Sequence, residues 1–227
     1  MSAREDILQG IRLNRPQIER PLPAVPLFDD TPPPSLLAAF KESLARMGGL
    51  FLEPPASGDA LAQVRAKIAN AKVVCSTVAD IEGNRNITDV RASEELADVD
   101  FAIVRASFAV AETGSILLSE ANLHVNALAY LAQHLIVLLD PADIVINLHH
   151  AYRRPEFRER RYAAFHTGPS ATADIEGVLI HGAQGVRSLS VLAVCAVDLP
   201  PVKRVFATKG SDLEKTMKAD GQAWLAT

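Results

Sequence analysis

The residues best suited to chemistry fall in two short runs. The first is Ala111-Glu112-Thr113-Gly114-Ser115, a carboxylate, two hydroxyls and a glycine between apolar segments. Gly114 permits a positive φ or close approach of a ligand to the backbone. Glu112 would stand at a strand end, where open α/β sheets place their ligands. A carboxylate set between apolar strands can carry a raised pKa and act as nucleophile or general base. The same residues also describe a plain turn, with Thr113 and Ser115 satisfying backbone groups and Glu112 in water.

The second run is His166-Thr167-Gly168-Pro169-Ser170-Ala171-Thr172-Ala173-Asp174-Ile175-Glu176. It predicts a strand, a Gly168 loop and a helix over 171–181 capped by Ser170 or Thr172. Such a helix start is an anion site, although Asp174 and Glu176 in its first turn would oppose a phosphate and fit a capped helix without ligand equally well. Beyond it, Gly182, Gly185 and Arg187 form a second glycine turn. Arg187 there either clamps a carboxylate or phosphate or stands as a solvated loop charge. Glu112 is therefore the catalytic candidate. The candidate ligand-binding residues are Thr113, Gly114, Ser115, Gly168, Ser170, Thr172, Asp174, Glu176 and Arg187.

No metal site is expected. His149 and His150 are adjacent and would point about 100° apart on a helix. Cys75 and Cys195 have no CxxC partner and are expected as inert residues of apolar strands. No motif for a nucleotide or other cofactor is evident, so any cofactor is unknown. Arg153, Arg154, Arg158, Arg160 and Arg161 make a basic run interrupted by Glu156 and Glu159, either a solvated face or a surface for an acidic partner.

The elements that must position these residues follow from periodicity. A short amphipathic helix over 3–18 precedes a stiff linker, since six of the fourteen residues in 21–34 are proline. The helix is an arm that packs on its own body, the favoured expectation, or on a second subunit. Helices are predicted over 35–47, 59–70 and 142–150. Apolar strands are predicted at 50–52, 72–76, 101–110, 114–119, 135–139, 162–166 and 189–197. Short apolar strands alternating with helices indicate an α/β fold: a mostly parallel sheet covered by helices on both faces.

Composition bounds the rest. The chain has 227 residues, 48% hydrophobic and 22% charged, enough for a core without disulfide or metal. A net charge of −4 provides no field toward nucleic acid or anionic lipid. No apolar stretch follows Met1 and no run nears the roughly 18 residues of a membrane span, so a cytoplasmic protein is expected.

Residues 111–118, Ala-Glu-Thr-Gly-Ser-Ile-Leu-Leu, resemble the AETGS core of the LUD domain. Residues 168–179, Gly-Pro-Ser-Ala-Thr-Ala-Asp-Ile-Glu-Gly-Val-Leu, are similar to that family's GPSxTADIExxL signature, and 182–189 to its GxHGPxxL turn. With the N-terminal helix and an end soon after the last strand, the chain resembles the lactate utilisation protein C (LutC/YkgG) branch over residues 35–200. Gln184 and Val186 stand where the family usually has His and Pro, and the stretch before His134 lacks the expected Arg and Pro.

The chain is thus divided into an arm at 1–20, a linker at 21–34 and, as the resemblance implies, a LUD domain at 35–227. The resemblance implies the fold shared by ribose-phosphate isomerase, glucosamine-phosphate deaminase and CoA-transferases. It also implies a role in oxidising L-lactate to pyruvate with two iron–sulfur partner proteins, a small-molecule ligand and a homo-oligomer being possible. It carries over no catalytic residue. Two alternatives stay open: a stand-alone enzyme acting on an acyl-CoA or phosphorylated acid through Glu112, and a metabolite-sensing binder.

Overall fold

The computed structural model of the chain describes residues 2–16, 21–174, 176–182 and 184–195. In chain order its elements are α1 (Ala3–Leu13), α2 (Leu36–Arg46), β1 (Leu50–Leu52), α3 (Ala62–Ile68), β2 (Val74–Ser76), β3 (Phe101–Arg105), β4 (Phe108–Val110), β5 (Ser115–Ser119), α4 (Glu120–Leu123) and α5 (Leu128–Leu131). There follow β6 (His134–Leu139), β7 (Ile144–Val145), α6 (Leu148–Ala151), α7 (Pro155–Arg158), β8 (Ala163–His166), β9 (Ala171–Thr172), β10 (Ile180–His181) and β11 (Ser188–Ala193).

The central sheet has the order β1-β11-β6-β3-β2, every pair parallel. Its inner strands are mostly apolar, interrupted in β11 by Ser190, because both faces are buried. Ile103, Ile136, Leu138 and Leu192 face Val64 of α3 and its neighbour Leu61. Ala102, Val104, Leu135, Val137, Leu189 and Val191 face the other way, onto Phe40 and Leu44 of α2, Leu123 of α4 and Leu128 of α5. That second face is shared with Ala109, Ile116 and Leu118 of another sheet, ordered β7-β4-β5-β8. The far side of this second sheet buries Phe108, Val110 and Leu117 against Ala151. The mostly parallel α/β architecture is thus the one expected, with a second sheet sharing one of the two covers.

The apolar run 101–110 serves both sheets. Ala106 N–H donates to Leu138 O in the central sheet (2.9 Å), and the next amide, Ser107 N–H, donates to Leu117 O in the second (3.1 Å). The expected single strand is therefore two. The helix expected over 142–150 is also divided. Asp140 caps a single turn at Pro141–Asp143, the β-branched pair Ile144-Val145 joins β4 as a parallel strand, and Asn147 starts α6. The helix expected over 171–181 is a hairpin, β9 pairing antiparallel with β10. Two successive left-handed residues, Glu176 (φ 55°) and Gly177 (φ 70°), turn the chain where a helix would continue.

Smaller corrections concern ends and exposure. β11 stops at Ala193, and the expected strand residues 196 and 197 lie outside the described residues. Cys195 is exposed rather than in the core, whereas Cys75 is buried and its thiol is pushed up to about 11 by burial, with Arg85 opposing. α1 has a Ser2–Glu5 capping box but buries no residue, contrary to packing on its own body.

Gly114 (φ 68°) is seated directly on α2. A Cβ there would overlap the Leu44 amide nitrogen and lie 2.6 Å from the Ser43 carbonyl carbon. The close approach expected at this glycine is thus made by the chain's own helix. Gly177 is equally left-handed but meets nothing within 4 Å. Gly114→Ala should destabilise the protein by about 2–4 kcal/mol, and Gly177→Ala by only about 1 kcal/mol, in urea denaturation. Equal effects would show that conformation alone, and not contact with α2, constrains Gly114.

Candidate functional site

The turn 111–114 joins β4 to β5 and is closed by Gly114 N–H donating to Val110 O at 3.0 Å. Ser115 opens β5 and is buried, 4% exposed. Its Oγ lies 2.7 Å from Thr113 Oγ1 and 2.5 Å from Thr167 Oγ1. Thr167 comes into range because β8 pairs antiparallel with β5, placing His166 opposite Ile116. Three hydroxyls in a row form a relay in which each can donate to the next.

Glu112 turns away from this row. It is exposed, its Oε2 accepts from Leu148 N–H at the start of α6 (3.3 Å), and its backbone oxygen accepts from Ser43 Oγ (3.1 Å). It stands at the turn between two apolar strands as expected, but its side chain is not enclosed by them; its carboxylate satisfies a helix-start amide. The proline-rich segment arrives at the same helix. Asn147 Nδ2 donates to Leu27 O (2.7 Å) and Phe28 O (3.1 Å), while its Oδ1 caps α6 by accepting from His150 N–H (3.1 Å). His150 Nε2 lies 3.0 Å from Asp29 Oδ2, and the Phe28 ring is 4.7 Å from that of His149. The segment expected as a spacer is a strap fastened over α6.

The second run packs around a different hollow. Gly168 (φ 69°) passes the end of α2 so closely that a Cβ would overlap the Met47 carbonyl oxygen. Ser170 is then held at both backbone groups, its N–H donating to Val186 O (2.9 Å) and its carbonyl accepting from Gly182 N–H (2.6 Å). Beside this junction lies an open cavity of about 360 Å³ lined by Ala97, Tyr130, Leu131, Gln133, Gly182, Gln184, Gly185 and Arg187. Thr172 sits half-buried in the β9–β10 hairpin, and Asp174 and Glu176 are exposed at its turn, where Asp174 N–H donates to Thr172 Oγ1 (3.3 Å). They occupy a hairpin tip in place of the first turn of a helix.

Two histidines border the cavity's wall residues. His134 opens β6 with Nδ1 2.8 Å from Ser188 Oγ and its ring stacked on Phe101; burial, then the neighbouring Arg187 charge, hold it below the usual histidine range. His166 contacts the Tyr130 ring at 5.2 Å, and its buried Nε2 has no hydrogen-bond partner. Burial pushes its pKa down to about 4, so it is neutral near pH 7. The Tyr130 and Tyr162 hydroxyls bond to each other, and burial followed by that bond pushes Tyr162 up to about 12.

The structure thus places Arg187 in the cavity wall, with Ser170 behind it bonded to Val186 and Gly182, and gathers Thr113 and Ser115 around Thr167, while Glu112 faces α6. Thr167, His166, Tyr130 and Gln133 were not anticipated as site residues. Thr167 lay within the second run and became legible only through the β5–β8 pairing. Tyr130 and Gln133 sit in an apolar stretch that carries no chemical signal. Among the described residues no group of three or more His, Cys, Asp or Glu could hold a metal ion, and no helix is long and apolar enough to cross a membrane.

This two-sheet α/β body with its glycine-gated loops is matched by a family model, LUD domain, across residues 40–194. The chain belongs to the LUD domain family. It is 27% identical over 144 residues to an uncharacterized protein of Neisseria meningitidis serogroup B, the match covering 62% of this chain and 61% of that one. In fold it is similar to a DUF162 family protein from Deinococcus radiodurans whose crystal structure has been solved, with a TM-score of 0.53, 18% identity, and coverage of 75% of this chain and 99% of that one.

Two measurements test the geometry. The His166 pKa is depressed from 6.5 to about 4, so the unfolded chain takes up a proton through that window and the folded one does not. Its stabilising contribution is full above pH 6.5 and is lost as pH falls toward 4, by roughly 3 kcal/mol at most. Urea titrations between pH 7 and 4 should show a shallower loss in His166→Gln than in wild type; parallel curves would remove the histidine from the account. Asn147→Ala removes the α6 cap and both strap bonds, so it should cost about 1–2 kcal/mol and expose 21–34 to limited proteolysis. Unchanged cleavage there would mean that Asn147 does not hold the strap.

Proposed function

We propose that this protein is the non-redox subunit of an L-lactate utilisation system, of the lactate utilisation protein C kind. The observation that carries the reading is the LUD domain match across 40–194, which contains the AETGS, GPSATADIE and 182–189 motifs. The electrons of L-lactate would pass to iron–sulfur partner proteins in the cytoplasm, and this chain would supply binding surface rather than redox chemistry. The fold is taken to be that of the ribose-phosphate isomerase, glucosamine-phosphate deaminase and CoA-transferase group. The arm at 1–20 and linker at 21–34 are read as appendages of the domain that starts at 35.

The alternative, a stand-alone acyl-CoA or phosphorylated-acid enzyme with Glu112 as nucleophile, draws no support from geometry in which that carboxylate is exposed and bonded by Leu148 N–H.

Deletion of the coding sequence in the native host should abolish growth on L-lactate and spare growth on pyruvate. Affinity purification from lactate-grown cells should recover cysteine-rich iron–sulfur proteins. Normal growth on lactate after deletion would overturn the reading.

A further inference from the structure

We propose that the cavity beside Arg187 binds an organic oxyanion of up to mononucleotide size, its phosphate or carboxylate on the Arg187 guanidinium and its ring against Tyr130 and Leu131. This goes beyond the lactate reading and does not depend on it.

The charge argument comes first. Arg187 is the charged side chain of the cavity wall, and among the described residues no carboxylate lies within ion-pair distance of it. Its neighbour His134 does not neutralise it. An unpaired guanidinium at a concave, partly apolar wall is the side chain suited to a two-oxygen headgroup, since its planar fork matches carboxylate and phosphate. The side chain is exposed, and its backbone is held where Arg187 N–H donates to Gln133 O (2.7 Å). Its stem passes Gly182 so closely that a Cβ there would come within 2.7 Å of Cγ.

Size and lining define the ligand's body. The cavity of about 360 Å³ lies in the range of small-molecule sites and equals about a dozen water volumes, more than a three-carbon acid fills. Tyr130 and Leu131 line the cavity and are exposed overall at 42% and 37%, and the Tyr130 hydroxyl is anchored on Tyr162, which offers a flat ring an apolar surface. Gln133 offers an amide that both donates and accepts.

A long polyanion is disfavoured. A second groove of about 450 Å³ begins across Ala97 and carries Asp89, Glu94, Glu95 and Asp98, with Arg85 already bound by Asp98 at 2.8 Å. Its negative field repels a nucleic-acid strand or a polyphosphate but tolerates a single headgroup on the Arg187 side.

The probes are adenosine 5′-monophosphate and pyridine-3-carboxylate, which separate the two headgroups, with adenosine, inorganic phosphate and L-lactate as controls. Calorimetric titration of the full chain should show binding of at least one ring-bearing anion. Adenosine and inorganic phosphate should each bind at least tenfold more weakly than adenosine 5′-monophosphate if the headgroup is phosphate. Arg187→Gln should weaken that binding at least tenfold with its melting temperature within a degree or so of wild type, and Arg187→Lys should restore only part of it. Binding of neither anion, binding unaltered by Arg187→Gln, or binding of L-lactate alone would each overturn the proposal. Growth of the Arg187→Gln strain on L-lactate, measured alongside, reports on the lactate role separately.

Discussion

The molecule depends on one contact between backbones: the C-terminal half of α2 lying against two glycines without room for a Cβ. Gly114 meets the helix at Ser43 and Leu44, and Gly168 meets it at Met47. The same helix sends Phe40 and Leu44 into the core shared by the two sheets, and its end leads through Gly48 and Gly49 into the edge strand β1. Thr113 and Ser115 on one side, Ser170 on the other, and one edge of the central sheet are thereby located by a single helix of 11 residues. Helix and turn approach this closely only where the turn residue has no side chain, so the glycine and the left-handed conformation it adopts belong to one requirement.

The anion-facing cavity lies at an unusual end of the fold. Open parallel sheets bind ligands outside the carboxyl ends of their strands. Here Gln133 and Arg187 stand immediately before the first residues of β6 and β11, at the amino ends. The cavity is made by loops rather than by strand termini. Gly182 and Val186 are tied to Ser170, and Arg187 N–H to Gln133. These residues are therefore held by hydrogen bonds between segments distant in sequence. Val186 is buried in the core, and its carbonyl takes part in this tie.

The apolar strands were legible in residue types because burial on both faces demands uninterrupted Val, Ile, Leu and Ala. Positions 135–139, Leu-Ile-Val-Leu-Leu, illustrate this well, and 189–193 departs from it only at Ser190. Division between two sheets was not legible: nothing in Arg105-Ala106-Ser107 announces that consecutive amides bond to different partners. The 171–181 segment misled for another reason. Its caps and spacing favour a helix locally, but the left-handed Glu176-Gly177 pair and the pairing of Thr172 with Ile180 impose a hairpin. Candidate site residues followed the same rule. Arg187 and Ser170 stand out in the sequence because their types are chemically conspicuous, whereas Thr167 and Tyr130 acquire meaning only from strand pairing and ring contacts.

The two ends of the Asn147 amide face different parts of the chain, one capping α6 and the other holding Leu27 and Phe28. The boundary suggested by the core and the boundary of the ordered surface therefore do not coincide. A shortened chain beginning at Ser35 would retain all the buried apolar clusters, yet it would strip Asn147 of two acceptors and His150 of its carboxylate partner. It would also uncover the His149 ring and leave α6, which meets Glu112, with a bare flank. A fragment trimmed for crystallisation or expression on core criteria alone would carry a surface that the full chain keeps covered.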